Sequence, residues 1–343
     1  MAVDAAQTDG RALSPAVVLL APMRWFMQAV DVPMSWLQRR AGVGAFIAVL
    51  LLPNMLVFGI FVLVPLGMNV AYSFTGGPAI FLENRSFVGL DQYRILFDCK
   101  DFLVPFSCSQ DAFWNAVHNT GTFVFFQVSA MVLVSLITAL VLNREIRARG
   151  FWRAVFFFPV LLSPVVVALI WKWILLREGL LNAVLIYFGF KPTLWLAEPN
   201  WAMFWAIFVS VWAHLGFYTL ILLAGLQAIP RDLYEAAEID GTRPFRVLWR
   251  ITLPLLWPNL LVVVILALIR AVQIFDEVFV LTGGGPGSST LFITQYIYQT
   301  GLANPIRNLG LAATASIVMG VVLIILTLMQ LGAATWRERK EAR

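Results

Sequence analysis

Long runs of sequence without a charged residue restrict the fold of this chain more than any other feature. No Asp, Glu, Lys or Arg occurs between Arg40 and Glu83, Asp111 and Arg144, Glu198 and Arg231, or Arg307 and Arg337. A helix needs about 20 apolar residues, rising 1.5 Å each, to cross the hydrocarbon core of a bilayer. Four membrane-spanning helices are therefore predicted, and a composition that is 60% hydrophobic and 13% charged agrees with them.

Two shorter apolar segments, 154–175 and 256–281, complete the prediction although Lys172 and Arg270 interrupt them. The expected fold is an all-α integral membrane protein of about six transmembrane helices. The predicted spans are 44–74, 114–142, 154–175, 201–225, 256–281 and 308–331. They form a transmembrane domain over 43–331, with a cytoplasmic segment before it (1–42), a long cytoplasmic loop within it (226–255) and a basic tail after it (332–343).

The distribution of positive charge predicts the orientation, because loops that stay in the cytoplasm are enriched in Lys and Arg. One set of loops is rich in basic residues and is placed inside: Arg11, Arg24, Arg39 and Arg40; Arg144, Arg147, Arg149 and Arg153; Arg231, Arg243, Arg246 and Arg250; and Arg337, Arg339, Lys340 and Arg343. Both termini are therefore predicted to be cytoplasmic. Because the rule accounts for these charges, a pI near 9.5 does not call for a nucleic-acid partner.

The N-terminal segment shows no secretory signal pattern, because Asp4 and Asp9 precede any apolar stretch. Within it, residues 15–36 are apolar but interrupted by Pro22, Arg24 and Pro33. This pattern favours a helix lying on the inner membrane surface. An additional span is the alternative.

Both cysteines of the chain, Cys99 and Cys108, fall in one predicted outer loop. An oxidising compartment would permit a disulfide there, and two unpaired thiols are the alternative. The two histidines, His118 and His214, fall in predicted helices, so no metal site is expected.

The cytoplasmic loop between the fourth and fifth predicted spans has the pattern of a folded element. Asp232 is expected to cap a short helix ending at Ile239, and Gly241 is expected to stop it in the left-handed conformation. A second amphipathic helix, at an angle to the first, is predicted over 245–252. Such a pair of helices would offer a docking surface to a cytoplasmic partner.

This loop contains Glu235, Ala236 and Ala237, then Gly241 after three residues, Ile251 after nine more, Leu253 and the following Pro254. The spacing resembles the "EAA" loop of ABC-importer permeases. The resemblance implies that these residues, with Asp240, couple the chain to an ATP-binding subunit. The alternative is an ordinary amphipathic connection between two spans.

The sequence after the fifth predicted span narrows the resemblance. Phe275-Asp276, the run Val280–Gly287 and Tyr296-Ile297-Tyr298 are similar to carbohydrate-type permeases, the maltose and glycerol-phosphate group. This implies a type I importer fold in the bacterial inner membrane, alternating access, and a sugar or sugar-like solute. It also implies a second homologous permease, two ATP-binding subunits that hold ATP and Mg, and an extracytoplasmic solute-binding protein.

No enzymatic activity is expected of the chain itself. A phosphate-binding Gly-x-x-x-x-Gly-Lys-Ser/Thr motif is absent, so no cofactor is predicted, and the few histidines and buried acids provide no catalytic set. The rival hypothesis is a self-contained channel or ion-driven secondary transporter. Neither the carboxylate relay nor the internal repeat expected of such a carrier is found along the predicted helices.

Polar residues within predicted spans are candidates for the solute path, because they are costly in hydrocarbon and usually face a cavity or each other. The candidates are Arg270, Gln273, Asn119, Gln127, His214 and Tyr218. Asp276 and Glu277 are predicted to clamp helices or subunits together. On one continuous helix Glu277 would lie two turns from Arg270, too far for a direct pair, so a partner on another helix is predicted.

Overall fold

The computed structural model describes the backbone of residues 42–44 and 47–341, and side chains as far as residue 332. The chain divides into two units, Met1–Met68 and Asn69–Arg343. In the first unit the described residues are helical throughout, with a π-helical turn at Gly59–Leu63. The segment 15–36, predicted to lie on the membrane surface, falls outside the described residues.

Helices make up most of the described chain. They are α1 (Gly42–Ser73), α2 (Asp91–Phe97), α3 (Asp111–Asn143), α4 (Arg149–Phe157), α5 (Pro164–Leu175), α6 (Leu180–Tyr187), α7 (Pro199–Ala228), α8 (Arg231–Ile239), α9 (Pro244–Val272), α10 (Asp276–Leu281), α11 (Ile293–Tyr298) and α12 (Leu309–Glu341). Two short antiparallel strands, β1 (Thr75–Gly76) and β2 (Ser86–Phe87), pair Thr75 with Phe87.

Five of these helices are long and apolar enough to cross a membrane: α1, α3, α7, α9 and the Leu309–Gly332 part of α12. A bent pair, Arg149–Leu161 and Pro164–Tyr187, brings the number to six if it forms one span. The all-α membrane fold predicted from the sequence is confirmed. The predicted bounds of the spans at α1, α3, α7 and α12 lie within a few residues of those observed.

The third predicted span, 154–175, is not one straight helix. Its two parts meet at an angle of 101°. Pro159 lies in a 3-10 turn, and Leu162 and Ser163 are extended just before Pro164 begins α5. A proline disfavours helical conformation in the residue before it, so Pro164 explains the extended backbone of Ser163 at the bend.

The fifth predicted span, 256–281, is also corrected. α9 ends at Val272, Gln273 and Phe275 depart from helical conformation, and α10 begins at Asp276. Asp276 and Glu277 occupy the first turn of α10, where the positive end of the helix dipole favours acidic side chains. A continuous apolar pattern therefore concealed the start of a new helix.

The core of the second unit surrounds α3 and α7. One cluster joins Met131 of α3, Leu222 of α7 and Val263 of α9, all fully buried. A second cluster joins Val167 of α5, Val209 of α7 and Leu281 of α10. Apolar side chains fill these two clusters. The polar groups described below therefore lie at the edges of the apolar layers.

The glycine-rich loop after α10, residues 282–292, is hydrogen-bonded to the outer part of α3. Asn119 Nδ2 donates to the carbonyl oxygens of Ser288 (2.7 Å) and Leu291 (3.1 Å). The backbone N–H of Ile293 donates to Thr120 Oγ1 (3.0 Å). These bonds satisfy loop carbonyls and amides that would otherwise be costly near a membrane, and they fix the loop relative to α3.

Candidate coupling segment and solute cavity

Residues 230–254 form a folded segment that begins with α8. The helix follows Pro230, so Asp232 is its second residue and caps nothing with its side chain, unlike the prediction. At the other end, Thr242 N–H donates to Ala237 O (2.9 Å) and Gly241 N–H to Glu238 O (3.0 Å). This is the Schellman pattern, and Gly241 occupies its left-handed position with φ 65°.

The second half of the segment differs from the prediction. The expected separate helix over 245–252 is the beginning of α9, with a π-helical turn at Leu248–Thr252. Tyr234 Oη of α8 lies 3.2 Å from Thr252 Oγ1, a hydrogen bond that ties α8 to this turn. A single helix therefore continues from Pro244 in the loop to Val272.

The residues that match the EAA pattern differ in exposure. Ala237 is buried, Ile251 and Leu253 are half-buried, and Glu235, Ala236, Asp240, Gly241 and Pro254 are exposed. Next to them, large apolar side chains are uncovered: Ile239 is 87% exposed, Phe245 73% and Trp249 58%. The segment thus combines a rigid backbone with an apolar surface that nothing in the described chain covers.

Two adjoining cavities lie at the other end of α9. Their volumes are about 340 and 390 Å³. Phe217, Tyr218 and Arg270 line both of them. Gln273, Asp276 and Glu277 line only the first cavity, while His214, Pro159 and Pro164 line only the second. Four of the six predicted solute-path residues, Arg270, Gln273, His214 and Tyr218, are therefore brought together.

A polar cluster joins three helices at these cavities. Arg270 of α9 lies 3.6 Å from Glu277 of α10, and its Nη2 lies 2.5 Å from His214 Nε2 of α7. His214 Nε2 is also 3.4 Å from Glu277 Oε1. The expectation that Arg270 and Glu277 are too far apart to pair is corrected, because the helix breaks after Val272 and the two residues do not lie on one continuous helix.

The hydrogen bonds of His214 indicate how its ring is oriented. Nδ1 lies 2.9 Å from the carbonyl oxygen of Ser210, which can only accept, so Nδ1 carries the proton. Nε2 then accepts a hydrogen bond from Arg270. Glu277 is only 4% exposed, and Arg270 is the cation that balances its charge.

The remaining predicted residues have other positions. Asn119 holds the glycine-rich loop, and Gln127, only 1% exposed in α3, lines neither cavity. Asp276 is exposed in the first cavity and makes no ion pair with any residue that the structure describes. A disulfide joins Cys99 to Cys108. Among the described residues no group of three or more His, Cys, Asp and Glu side chains could hold a metal ion.

Sequence reasoning did not identify Phe217, Pro159 and Pro164 as cavity residues. The two prolines carried a usable signal, because irregular backbone at membrane depth is tolerated where it lines a cavity or is buried in protein. Phe217 carried none, since a phenylalanine beside a tyrosine in an apolar helix is ordinary.

Gly216 is required where α7 passes α4, beside the second cavity. A Cβ at this position would meet Phe156 O at 2.6 Å and Phe157 Cα at 2.8 Å, both backbone atoms. We expect Gly216→Ala to lower the free energy of unfolding of the purified protein by about 1–3 kcal/mol, the usual cost of overpacking. Gly121→Ala is the matched control, because a Cβ on Gly121 meets nothing within 4 Å. Equal stability of the two variants would contradict this packing.

Comparison with known proteins agrees with this architecture. Residues 131–338 match the family described as "Binding-protein-dependent transport system inner membrane component". The trehalose/maltose transport system permease protein MalF of Thermococcus litoralis is 34% identical over 84% of this chain and 93% of its own length. The sulfoquinovosyl glycerol transport system permease protein SmoG of Agrobacterium fabrum is 33% identical over 80% of this chain and 85% of its own length.

A solved structure shares the fold. A chain of a bacterial ABC transporter involved in the import of the acidic polysaccharide alginate superposes with a TM-score of 0.72 at 23% identity, covering 90% of this chain and 98% of that one. The resemblance to permeases of ABC importers that the sequence indicated is confirmed. The chain belongs to the family of binding-protein-dependent transport system inner membrane components.

Proposed function

We propose that this permease moves a sugar or sugar-like solute inward by alternating access, driven by ATP hydrolysis in partner subunits. One observation carries the proposal: α9 has the coupling segment at its start and Arg270, in the cavity wall, in its last turn. At 1.5 Å per residue this helix is roughly 44 Å long. A displacement of the cytoplasmic end would therefore reach the cavity through one continuous helix, which contains the π-helical turn Leu248–Thr252 and Pro258.

The proposed role of the coupling segment is to dock on an ATP-binding subunit. Exposed Phe245 and Trp249, whose rings lie 6.0 Å apart, supply the apolar contact that a docked helix buries in a groove. Glu235, exposed on α8, is available to a basic partner. Because Tyr234 and Thr252 tie α8 to α9, movement of α8 would be transmitted rather than absorbed in the loop.

The partners follow from this docking geometry and from the family. Half of a two-fold pore needs a second homologous permease, and each permease offers one docking segment, so two ATP-binding subunits would hold ATP and Mg. A soluble binding protein would deliver the solute from outside. The lipid bilayer surrounds the remaining apolar surface.

The cavity lining supports a sugar as the solute class. Volumes of 340 and 390 Å³ are within the range of small-molecule sites, about 300–1,000 Å³. Phe217, 46% exposed, offers a ring surface, and Gln273 and Arg270 offer hydrogen-bond donors. Relatives whose names refer to maltose and trehalose agree with this class.

Gln273→Ala tests the solute path apart from coupling. Gln273 is exposed in the first cavity, and loss of one hydrogen bond to the solute, worth about 0.5–1.5 kcal/mol, should slow uptake roughly 2- to 10-fold. The assay is radiolabelled sugar uptake by proteoliposomes that contain the complete complex with saturating binding protein. Solute-stimulated ATP hydrolysis should persist, because the coupling segment is unchanged.

Gln299→Ala is the matched control, since Gln299 lies in the π-helical turn Gln299–Ala303 and lines neither cavity. It should leave uptake unchanged. If Gln273→Ala and Gln299→Ala behave alike for every sugar tested, the path does not run through this cavity.

A further inference from the structure

The polar atoms of Asp101 and Ser107 are hydrogen-bonded within the loop that the disulfide between Cys99 and Cys108 closes. Ser107 Oγ accepts from the N–H of Asp101 (3.0 Å) and donates to the Asp101 carbonyl (2.8 Å). The Asp101 carboxylate accepts from the N–H of Leu103 (2.9 Å). The ring is therefore internally bonded, and closure by the disulfide limits its freedom further.

Large apolar side chains of the same loop are turned outward. Leu103 and Phe106 are each 79% exposed, and Phe102 and Val104 are about half exposed. A loop in water usually shows the reverse arrangement, with polar groups outside. Four such side chains on ten residues form a compact apolar patch, and patches of this kind mark contacts with a partner or a membrane.

The loop is held against α3 at a definite depth. His118 of α3 bonds the carbonyl oxygen of Phe102 through Nε2 (3.0 Å). The ring of Phe102 lies 4.9 Å from that of Trp114, whose Nε1 donates to Leu96 O (2.9 Å). The loop therefore runs back along the first two turns of α3 instead of projecting away from it.

The sequence of α3 relates this depth to the bilayer. The uncharged stretch of α3 runs over 112–143, roughly 48 Å, and is longer than the ~30 Å hydrocarbon core. Its first turns carry the polar side chains of Asn115, His118 and Asn119, which places them in the layer of lipid headgroups, roughly 5–7 Å thick on each side. Tryptophan is enriched in this layer, and Trp114 is placed accordingly.

We propose that residues 99–108 form an interfacial anchor whose apolar side chains, Leu103 and Phe106 above all, enter the boundary between headgroups and acyl chains of the outer leaflet. The occupant of the patch is lipid. Continuity supports it, because exposed side chains of α3, among them Thr122, Phe125 and Phe126, continue below His118 into the bilayer. The anchor would fix the outer end of α3, which carries the glycine-rich loop on Asn119.

Photocrosslinking tests the anchor in the complete complex, reconstituted in lipid nanodiscs with and without its binding protein. A benzophenone amino acid replaces Phe106 in one variant and Arg94 in the control, because the Arg94 side chain is 80% exposed on neighbouring α2. Mass spectrometry of the irradiated chain identifies the adduct. We expect a lipid adduct at position 106 that is several-fold more abundant than at position 94, with or without the binding protein.

Other adducts would overturn the proposal. Crosslinking of position 106 to the binding protein would make the loop a docking site for that protein, and crosslinking to the second permease would make it a subunit contact. Equal, low lipid adducts at positions 106 and 94 would place the loop in water. Replacement of Phe245, 73% exposed in the segment proposed to dock on an ATP-binding subunit, serves as a positive control for a protein contact.

Discussion

Gly241→Val is expected to uncouple ATP hydrolysis from solute uptake. Gly241 has φ 65°, and a residue with a Cβ costs about 1–2 kcal/mol in this left-handed conformation. Valine, branched at Cβ, belongs at the upper end of that cost. The Schellman turn that ends α8 should open, and coupled uptake should fall by about tenfold or more, at roughly 1.4 kcal/mol per factor of ten.

Gly241→Asn is the matched control, because asparagine is close to valine in size but tolerates the left-handed region. A Cβ at this position meets nothing within 4 Å of this chain, so steric conflict within the permease does not separate the two variants. The assay compares solute-stimulated ATP hydrolysis and uptake in the same proteoliposomes. Equal uptake by the two variants would show that the turn at Gly241 does not transmit movement from the ATP-binding subunit to α9.

Arg270→Met is expected to destabilise the protein and to abolish most uptake. Removal of the guanidinium leaves Glu277, 4% exposed, without the cation that balances it. Breaking a buried ion pair costs about 3–5 kcal/mol, and the lower end applies because Arg270 is half exposed to the cavity. Thermal unfolding of the purified chain in detergent measures this loss.

The double variant Arg270→Met with Glu277→Gln separates two roles of the arginine. The neutral amide no longer needs a cation, so stability should return to within about 1 kcal/mol of the natural chain, as replacement of both partners of a buried pair is often close to neutral. If Arg270 also contacts solute, uptake stays low in the stable double variant. An Arg270→Met chain as stable as the natural one would contradict the cluster described at the cavities.

The features predicted from the sequence are those that depend on the order of charged, apolar and turn-forming residues along the chain. Uncharged runs located the spans at α1, α3, α7 and α12, because the length of the hydrocarbon core fixes how many apolar residues a span needs. The EAA pattern located the folded segment 230–254, for which coupling is proposed, and Gly241 was recognised as its turn because few other residues adopt a positive φ. The family membership inferred from these letters is confirmed by the comparisons.

Contacts between helices could not be predicted from the sequence. Nothing in the local sequence shows that Glu277 meets Arg270 and His214, since that contact needs three helices in place. Asn119 was predicted to line the solute path because a polar group in a span has the same signature whether it faces a cavity or a loop. Its hydrogen-bond partners, Ser288 and Leu291, lie far along the chain.

We propose that the chain transmits ATP-driven movement along α9 to a cavity for sugar. The most direct measurement is sugar accumulation in proteoliposomes that contain either this chain alone or the complete complex, with and without ATP on the side of the coupling segment. Accumulation only in the complete complex, only with ATP and binding protein, and lost in Gly241→Val, is the predicted result. Uptake by the chain alone, without ATP or driven by an ion gradient, would contradict the claim and make the protein a self-contained channel or carrier.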